Sequence, residues 1–125
     1  MRYLADQNAW LAQPPQGRNL EVLIGGSADA ANPASLALVD RALATLSSLE
    51  SLARGHLREF LVPSLSDTLD TWTLEGIESG CGEAPRDDQV ALIFSDAADT
   101  YGQWAVRFQL SSDRFFAIAF GRQQI

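Results

Sequence analysis

The chain has no lysine, one histidine, one cysteine and one methionine, and it contains no run of 18 apolar residues. Each shortage removes a class of chemistry. Without lysine there is no Schiff-base amine, no phosphate-loop lysine and no kinase-type lysine. A single cysteine forms no internal disulfide and no C-x-x-C redox pair, and with a single histidine it cannot build a Cys/His zinc site. No segment is apolar enough over enough residues to cross a bilayer as a helix. Basic charge is scarce too. Nine arginines against 16 acids give a net charge of −7 and a pI near 4.4, the opposite of the basic footprint that nucleic-acid binding needs.

What is present describes one soluble globular domain spanning residues 1–125, with 46% apolar and 20% charged residues and length enough to bury a core without staples. The segment Met1 to Asn8 reaches Asp6 before any apolar stretch accumulates, so no signal peptide is expected. A lone thiol without an export signal fits a reducing, cytoplasmic compartment.

Periodicity divides the chain into strands and one helical stretch. Asn19 to Gly26 alternates, with Leu20, Val22 and Ile24 on one side, and stops at a glycine pair, as a strand does. The turn Pro14-Pro15-Gln16-Gly17 joins it to a weaker strand around Ala9 to Ala12. Asn32 can cap a helix that starts at Pro33. Its apolar positions Leu36, Val39, Leu43, Leu46, Ala53, Leu57 and Phe60 keep helical spacing, so one long helix ending by Pro63, bent at Gly55, is expected. Beyond it the period changes to two. Thr71 to Glu75 alternates, and Gly76-Ile77 shifts the phase in the manner of a bulge. Gln89 to Ser95 is apolar on both faces, as a central strand is. Gln103 to Leu110 and Arg114 to Gly121 then alternate around Ser111-Ser112-Asp113. In the last of these, Phe116, Ile118 and Phe120 should face the core together. The reading is ββαββββ: an α+β fold with an antiparallel sheet of about five or six strands and one long helix on one face.

The charge is unevenly placed. Asp67 to Asp99 holds nine acids and only Arg86, whereas residues 1–66 carry six acids and five arginines and residues 100–125 one acid and three arginines. Acids in turns at strand ends could share one sheet edge, and a concentrated negative field steers a cationic partner. Glu83, Asp87, Asp88, Asp96 and Asp99, with Tyr101 as an aromatic anchor, are therefore the expected partner-binding residues. Ordinary solubility accounts for acidic loops as well. Ser95 to Gly102 lacks the order of a calcium loop, and Gly25-Gly26-Ser27 has neither dinucleotide-binding spacing nor a phosphate-loop lysine. Cys81, in a loop expected to be exposed, has only His56 available to activate it, and nothing in the sequence selects that pair. No metal, cofactor or catalytic residue is expected.

Trp72-Thr73-Leu74, Val90 to Phe94 and Trp104-Ala105-Val106-Arg107-Phe108, preceded by an amphipathic helix, together resemble small bacterial α+β families of unknown function. Some of these are similar to immunity proteins encoded beside polymorphic or contact-dependent toxins. The likeness covers residues 20 to 120, and the arginine, alanine and leucine bias is one that a GC-rich bacterial genome imposes. The resemblance implies a non-catalytic cytoplasmic protein that blocks a cognate toxin, often a basic nuclease, through an acidic surface. The competing expectations are a subunit that self-associates into a homodimer through an unpaired edge strand and an enzyme that uses Cys81.

Overall fold

A computed structural model describes residues 1–13, 19–61 and 63–125; the turn expected at Pro14 to Gly17 lies outside them. Seven strands form one sheet in sequence order: β1 (Arg2–Leu4), β2 (Ala9–Ala12), β3 (Glu21–Gly25), β4 (Thr73–Ser79), β5 (Gln89–Ser95), β6 (Gly102–Ser111) and β7 (Arg114–Gln124). Between β3 and β4 run α1 (Pro33–Ala44), α2 (Leu46–Phe60), α3 (Pro63–Ser66) and a 3₁₀ turn at Leu69–Thr71.

The expected ββαββββ fold with a purely antiparallel sheet and one long helix is therefore corrected in three respects. First, β1 is a strand of three residues, too short to show a period, and it is defined by its pairing with β2 (Tyr3 opposite Trp10). Second, β3 and β4 are parallel, with Val22 beside Ile77. A helical crossover on one face returns the chain to the end of the sheet it left, and so makes its two strands parallel. The sheet is mixed, although β4 to β7 do form the expected antiparallel meander.

Third, the helix breaks at Thr45. The Thr45 hydroxyl donates to the Arg41 carbonyl (3.1 Å), and its N–H turns to Ala42 rather than Arg41, a local competition that hydroxyl side chains offer to the helical ladder. Both helices pack on the same sheet face, so the apolar stripe runs on across the break and periodicity cannot register it. Gly55 lies inside α2, with open space where a side chain would be. Asn32 caps α1 as expected, its side-chain oxygen accepting from the Ala34 and Ser35 amides.

The core lies between helices and sheet. Leu38, Val39, Leu49, Ala53 and Leu57 pack against Val22, Ile24, Ile77, Leu92, Phe94, Val106 and Phe108, each large side chain contributing about 1.5–3 kcal/mol by leaving water. Strand alternation sends the intervening residues to the other face, where Ala84, Ala91, Ile93 and Ala105 form a small second cluster. No described helix covers that face, and no described helix is long and apolar enough to cross a membrane. On β7, Arg107 opposes Ala119 and Phe108 opposes Ala117, so Ile118 is the extra residue of a bulge. The bulge throws the strand out of phase: Phe120 faces the core, whereas Phe116 (47% exposed) and Ile118 (46%) do not. Phe60 is likewise 59% exposed, its ring tilted against that of His56 with centroids 4.9 Å apart.

Candidate functional site

The structure separates the expected acidic interface into two groups. Glu83, Asp87 and Asp88 belong to the loop before β5, and Asp96, Asp99 and Tyr101 to the loop after it. The seven residues of β5 hold the groups roughly 20 Å apart. Most of these acids already have partners. Asp88 takes both arms of Arg86 at 2.8 Å, and Asp99 takes two arms of Arg122 at 2.7 Å. The hydrogen bond from the arginine holds each carboxyl below the usual aspartate range. Asp96 is only 8% exposed and accepts the Ala98 amide at 3.0 Å, a loop-closing bond. Asp87 accepts from Asn32 at 3.4 Å. Tyr101 is 66% exposed, consistent with an available aromatic but far from the first loop.

Cys81 and His56 are not brought together. Cys81 is half-buried rather than exposed, its sulfur 3.7 Å from the Ser79 carbonyl. Burial and the neighbouring Glu78 carboxylate push its thiol up to about 11, away from the thiolate that a nucleophile requires. His56 lies on the helical side, with its ring 5.8 Å from that of Phe120.

A different constellation lies on the helix-free face. Parallel pairing sets Glu21 beside Gly76, and antiparallel pairing sets Gly76 beside Ile93. A methyl group at Gly76 would fall 2.9 Å from the Glu21 carbonyl, and a trough of about 740 Å³ that Gly76 helps to line opens across β1 to β6. Its walls include Leu11, Ile93 and Gln103 together with three carboxylates, Glu21, Glu75 and Glu78. Glu75 is the extra residue of the β4 bulge, since Leu74 opposes Phe94 and Gly76 opposes Ile93, and bulges re-aim side chains in this way. Its carboxylate accepts the Ser95 hydroxyl at 2.7 Å. Glu78 accepts the Glu83 amide at 3.0 Å. A smaller cavity of about 210 Å³ adjoins the trough and shares Glu78, Ile93 and Gln103 with it.

The electrostatics of the trough differ from those of the loops. Elsewhere arginines meet acids: Arg41 with Asp113, Arg54 with Glu50, Arg58 with Asp70, Arg86 with Asp88 and Arg122 with Asp99. Among the described residues no basic group lies within ion-pair distance of Glu21, Glu75 or Glu78. Among the described residues Arg2, on the β1 rim, is the one base lining the cavity. Burial, with the Glu83 and Glu21 charges adding to it, raises the Glu78 carboxyl above its ordinary value of 4.5. Among the described residues no group of three or more His, Cys, Asp or Glu is placed to hold a metal ion.

A raised carboxyl pKa in the fold means that the folded state binds the proton more tightly than the unfolded chain. Ionised Glu78 therefore costs stability at neutral pH, and the cost is relieved as pH falls through its folded value. Glu78→Gln keeps an acceptor for the Glu83 amide and should melt above the parent at pH 7. That advantage should shrink to nothing below pH 4.5. Melting curves of the two proteins between pH 4 and pH 8 test this; a constant difference would mean that Glu78 is not the strained group.

Sequence reasoning counted Glu75 and Glu78 only as part of an acidic segment and passed over Glu21. The phase shift at Gly76 was the available signal, but locating the trough also needed the parallel β3–β4 pairing. By architecture the chain is a mixed-sheet α+β domain with helices on one face and an open, hollowed face on the other. Compared with protein families, curated proteins and solved structures, it matches none.

Proposed function

We propose that this is a non-enzymatic binding protein that engages a basic protein partner through the helix-free face of its sheet. The observation that carries the reading is the contrast in pairing. Five acids elsewhere are met by arginines, whereas Glu21, Glu75 and Glu78 have no basic group within ion-pair distance among the described residues. Such a surface attracts cations over about a Debye length and aligns them before contact. The resemblance to toxin-immunity proteins gives the reading its finer form, a bacterial cytoplasmic inhibitor of a cationic toxin or nuclease. The high thiol pKa of Cys81 and its separation from His56 weigh against a cysteine enzyme. Asp88 and Asp99, whose charges are already met, serve here as loop staples, and Glu83 lies at the trough's end beside Glu78.

Affinity capture with three versions of the full chain tests the proposal: the parent, Glu21→Gln with Glu78→Gln, and a control of equal charge, Asp29→Asn with Asp67→Asn. The parent and the control should retain one basic protein in stoichiometric amount, released by moderate salt. The double glutamine variant should lose it. A partner held equally by all three versions would place the interface elsewhere, and recovery of no partner by the parent would count against a binding role.

A further inference from the structure

We infer that β7 is a dimerisation edge, where two copies of the chain join their sheets by antiparallel pairing of β7 with β7 about a two-fold axis between Ile118 and Ala119. The two edges of the sheet are unlike. β1 closes one side with three residues, whereas β7 runs for eleven and pairs only with β6 among the described residues. Its outer row of backbone N–H and C=O groups is a template for another strand. Proline, lysine and inward-pointing charges commonly blunt such an edge, and β7 holds no proline, lysine or acid. Of its two arginines, Arg122 is held by Asp99 at 2.7 Å, and Arg114 lies over the ring of Phe116.

Exposed apolar side chains gather along this same edge. Phe116 and Ile118 belong to β7, while Leu52 (49% exposed) and Phe60 stand with His56 at i, i+4 and i+8 on α2, which is one line on a helix. That line overhangs β7, because the rings of His56 and Phe60 lie 5.8 and 6.3 Å from that of Phe120. Apolar surface on both sides of one free strand marks a contact surface.

The occupant that fits is a second copy, because the bulge makes β7 complementary to itself. Directly opposed residues of an antiparallel pair share a face. An unbroken strand paired with its own copy meets that condition only with a residue on the axis. In β7 the phase changes at Ile118, so the faces agree when the axis passes between Ile118 and Ala119, near the middle of the strand. Phe116 then opposes Gly121 of the second copy, and both lie on the helix-free face, opposite Gln109 and Ala105 of β6. Ala117 opposes Phe120, and both lie on the helical face, opposite Phe108 and Val106. The same register sets Phe115 against Arg122 and Arg114 against Gln123. Aromatic rings therefore meet glycine, alanine or an arginine side chain, and no two charges of like sign are directly opposed. At Gly121 nothing lies within 4 Å of where a side chain would stand, and the Phe116 ring of the second copy covers that gap. On the helical face the incoming strand passes beneath the α2 line and covers Leu52 and Phe60. The trough, which lies across β1 to β6, stays open, so this pairing is independent of the basic-partner reading.

Sedimentation equilibrium of the full chain at micromolar concentration tests the pairing and should return the mass of two copies. Gly121→Lys has room in the single chain but meets Phe116 in the dimer, and should raise the dissociation constant roughly tenfold or more with the circular dichroism unchanged. If that variant does not fold, Ile118→Lys, at an exposed position, gives the same readout. Cysteine pairs in a Cys81→Ser background test the register. Phe116→Cys with Gly121→Cys should cross-link two copies on mild oxidation, whereas Phe116→Cys with Gln123→Cys should not. Positions 116 and 121 of one extended strand are about 16 Å apart, beyond the reach of a disulfide, so the link must join two chains. A parent of any mass other than two copies, a dimer indifferent to the lysine substitution, no cross-link from the first pair or equal cross-linking by both would overturn the assignment.

Discussion

Gly25→Ala should destabilise the protein by about 3 kcal/mol or more, while Gly55→Ala should stabilise it by roughly 0.5–1 kcal/mol. The two glycines differ in what their missing side chains leave room for. Gly25 ends β3, and a methyl group there would fall on the carbonyl of Gly80, a backbone group that cannot swing aside. Gly80 has no room to retreat. Its backbone is in the left-handed region at φ +74, and Ser35 of α1 stands directly behind it. Relief requires β3 and the end of β4 to separate, which breaks the parallel pairing that sets Glu21 beside Gly76. The trough should open along with the loss of stability. At Gly55 nothing lies within 4 Å of the added methyl group, so alanine merely removes backbone freedom from the unfolded chain. Denaturant midpoints of the two variants against the parent decide the matter. A Gly25→Ala protein within about 1 kcal/mol of the parent would show that the β3–β4 junction yields easily.

How far the sequence discloses this fold depends on whether each feature is local. The Asn32 cap, the Gly76 bulge, the doubly apolar β5 and the alternation of β6 are decided by neighbours a few residues apart, and each appears in the structure. The break at Thr45 is local too, but an unbroken apolar stripe hides it, because α1 and α2 share one sheet. The parallel β3–β4 pair joins residues more than fifty positions apart, and no periodicity carries that information. The same limit applies to the site. A sequence count of nine acids shows that charge is concentrated, yet whether an acid is matched depends on which arginine the fold delivers to it. Asp99 meets Arg122 from β7, whereas Glu21, Glu75 and Glu78 line one trough from two strands. The expected interface followed the count, and the trough follows the pairing.

Arg54 links the helical layer to the trough, and its replacement should be the most costly change of a charged side chain. From α2 it donates to the carbonyls of Leu69 and Trp72, the latter at 2.8 Å. Its guanidinium carbon lies 5.1 Å from the centre of the Phe94 ring. Both accepting residues are buried; Arg54→Ala leaves the Trp72 carbonyl without this donor, at about 1–3 kcal/mol for an unmet group, while the Leu69 carbonyl still accepts the Trp72 amide at 3.2 Å. A loss of about 1–3 kcal/mol is expected. Arg54→Lys should recover only a part, because one ammonium on a flexible stem cannot serve two carbonyls in the fixed geometry of a guanidinium fork. The consequence reaches the open face, because Leu69–Thr71 is the turn that delivers β4, and its position fixes where the Glu75–Gly76 bulge falls against β5. Urea unfolding should therefore rank the parent above lysine and lysine above alanine, and the amide shifts of Glu75 to Glu78 should move in both variants although Arg54 lies on the other side of the sheet. A lysine variant as stable as the parent, with those amides unmoved, would mean that the turn holds its place by packing alone.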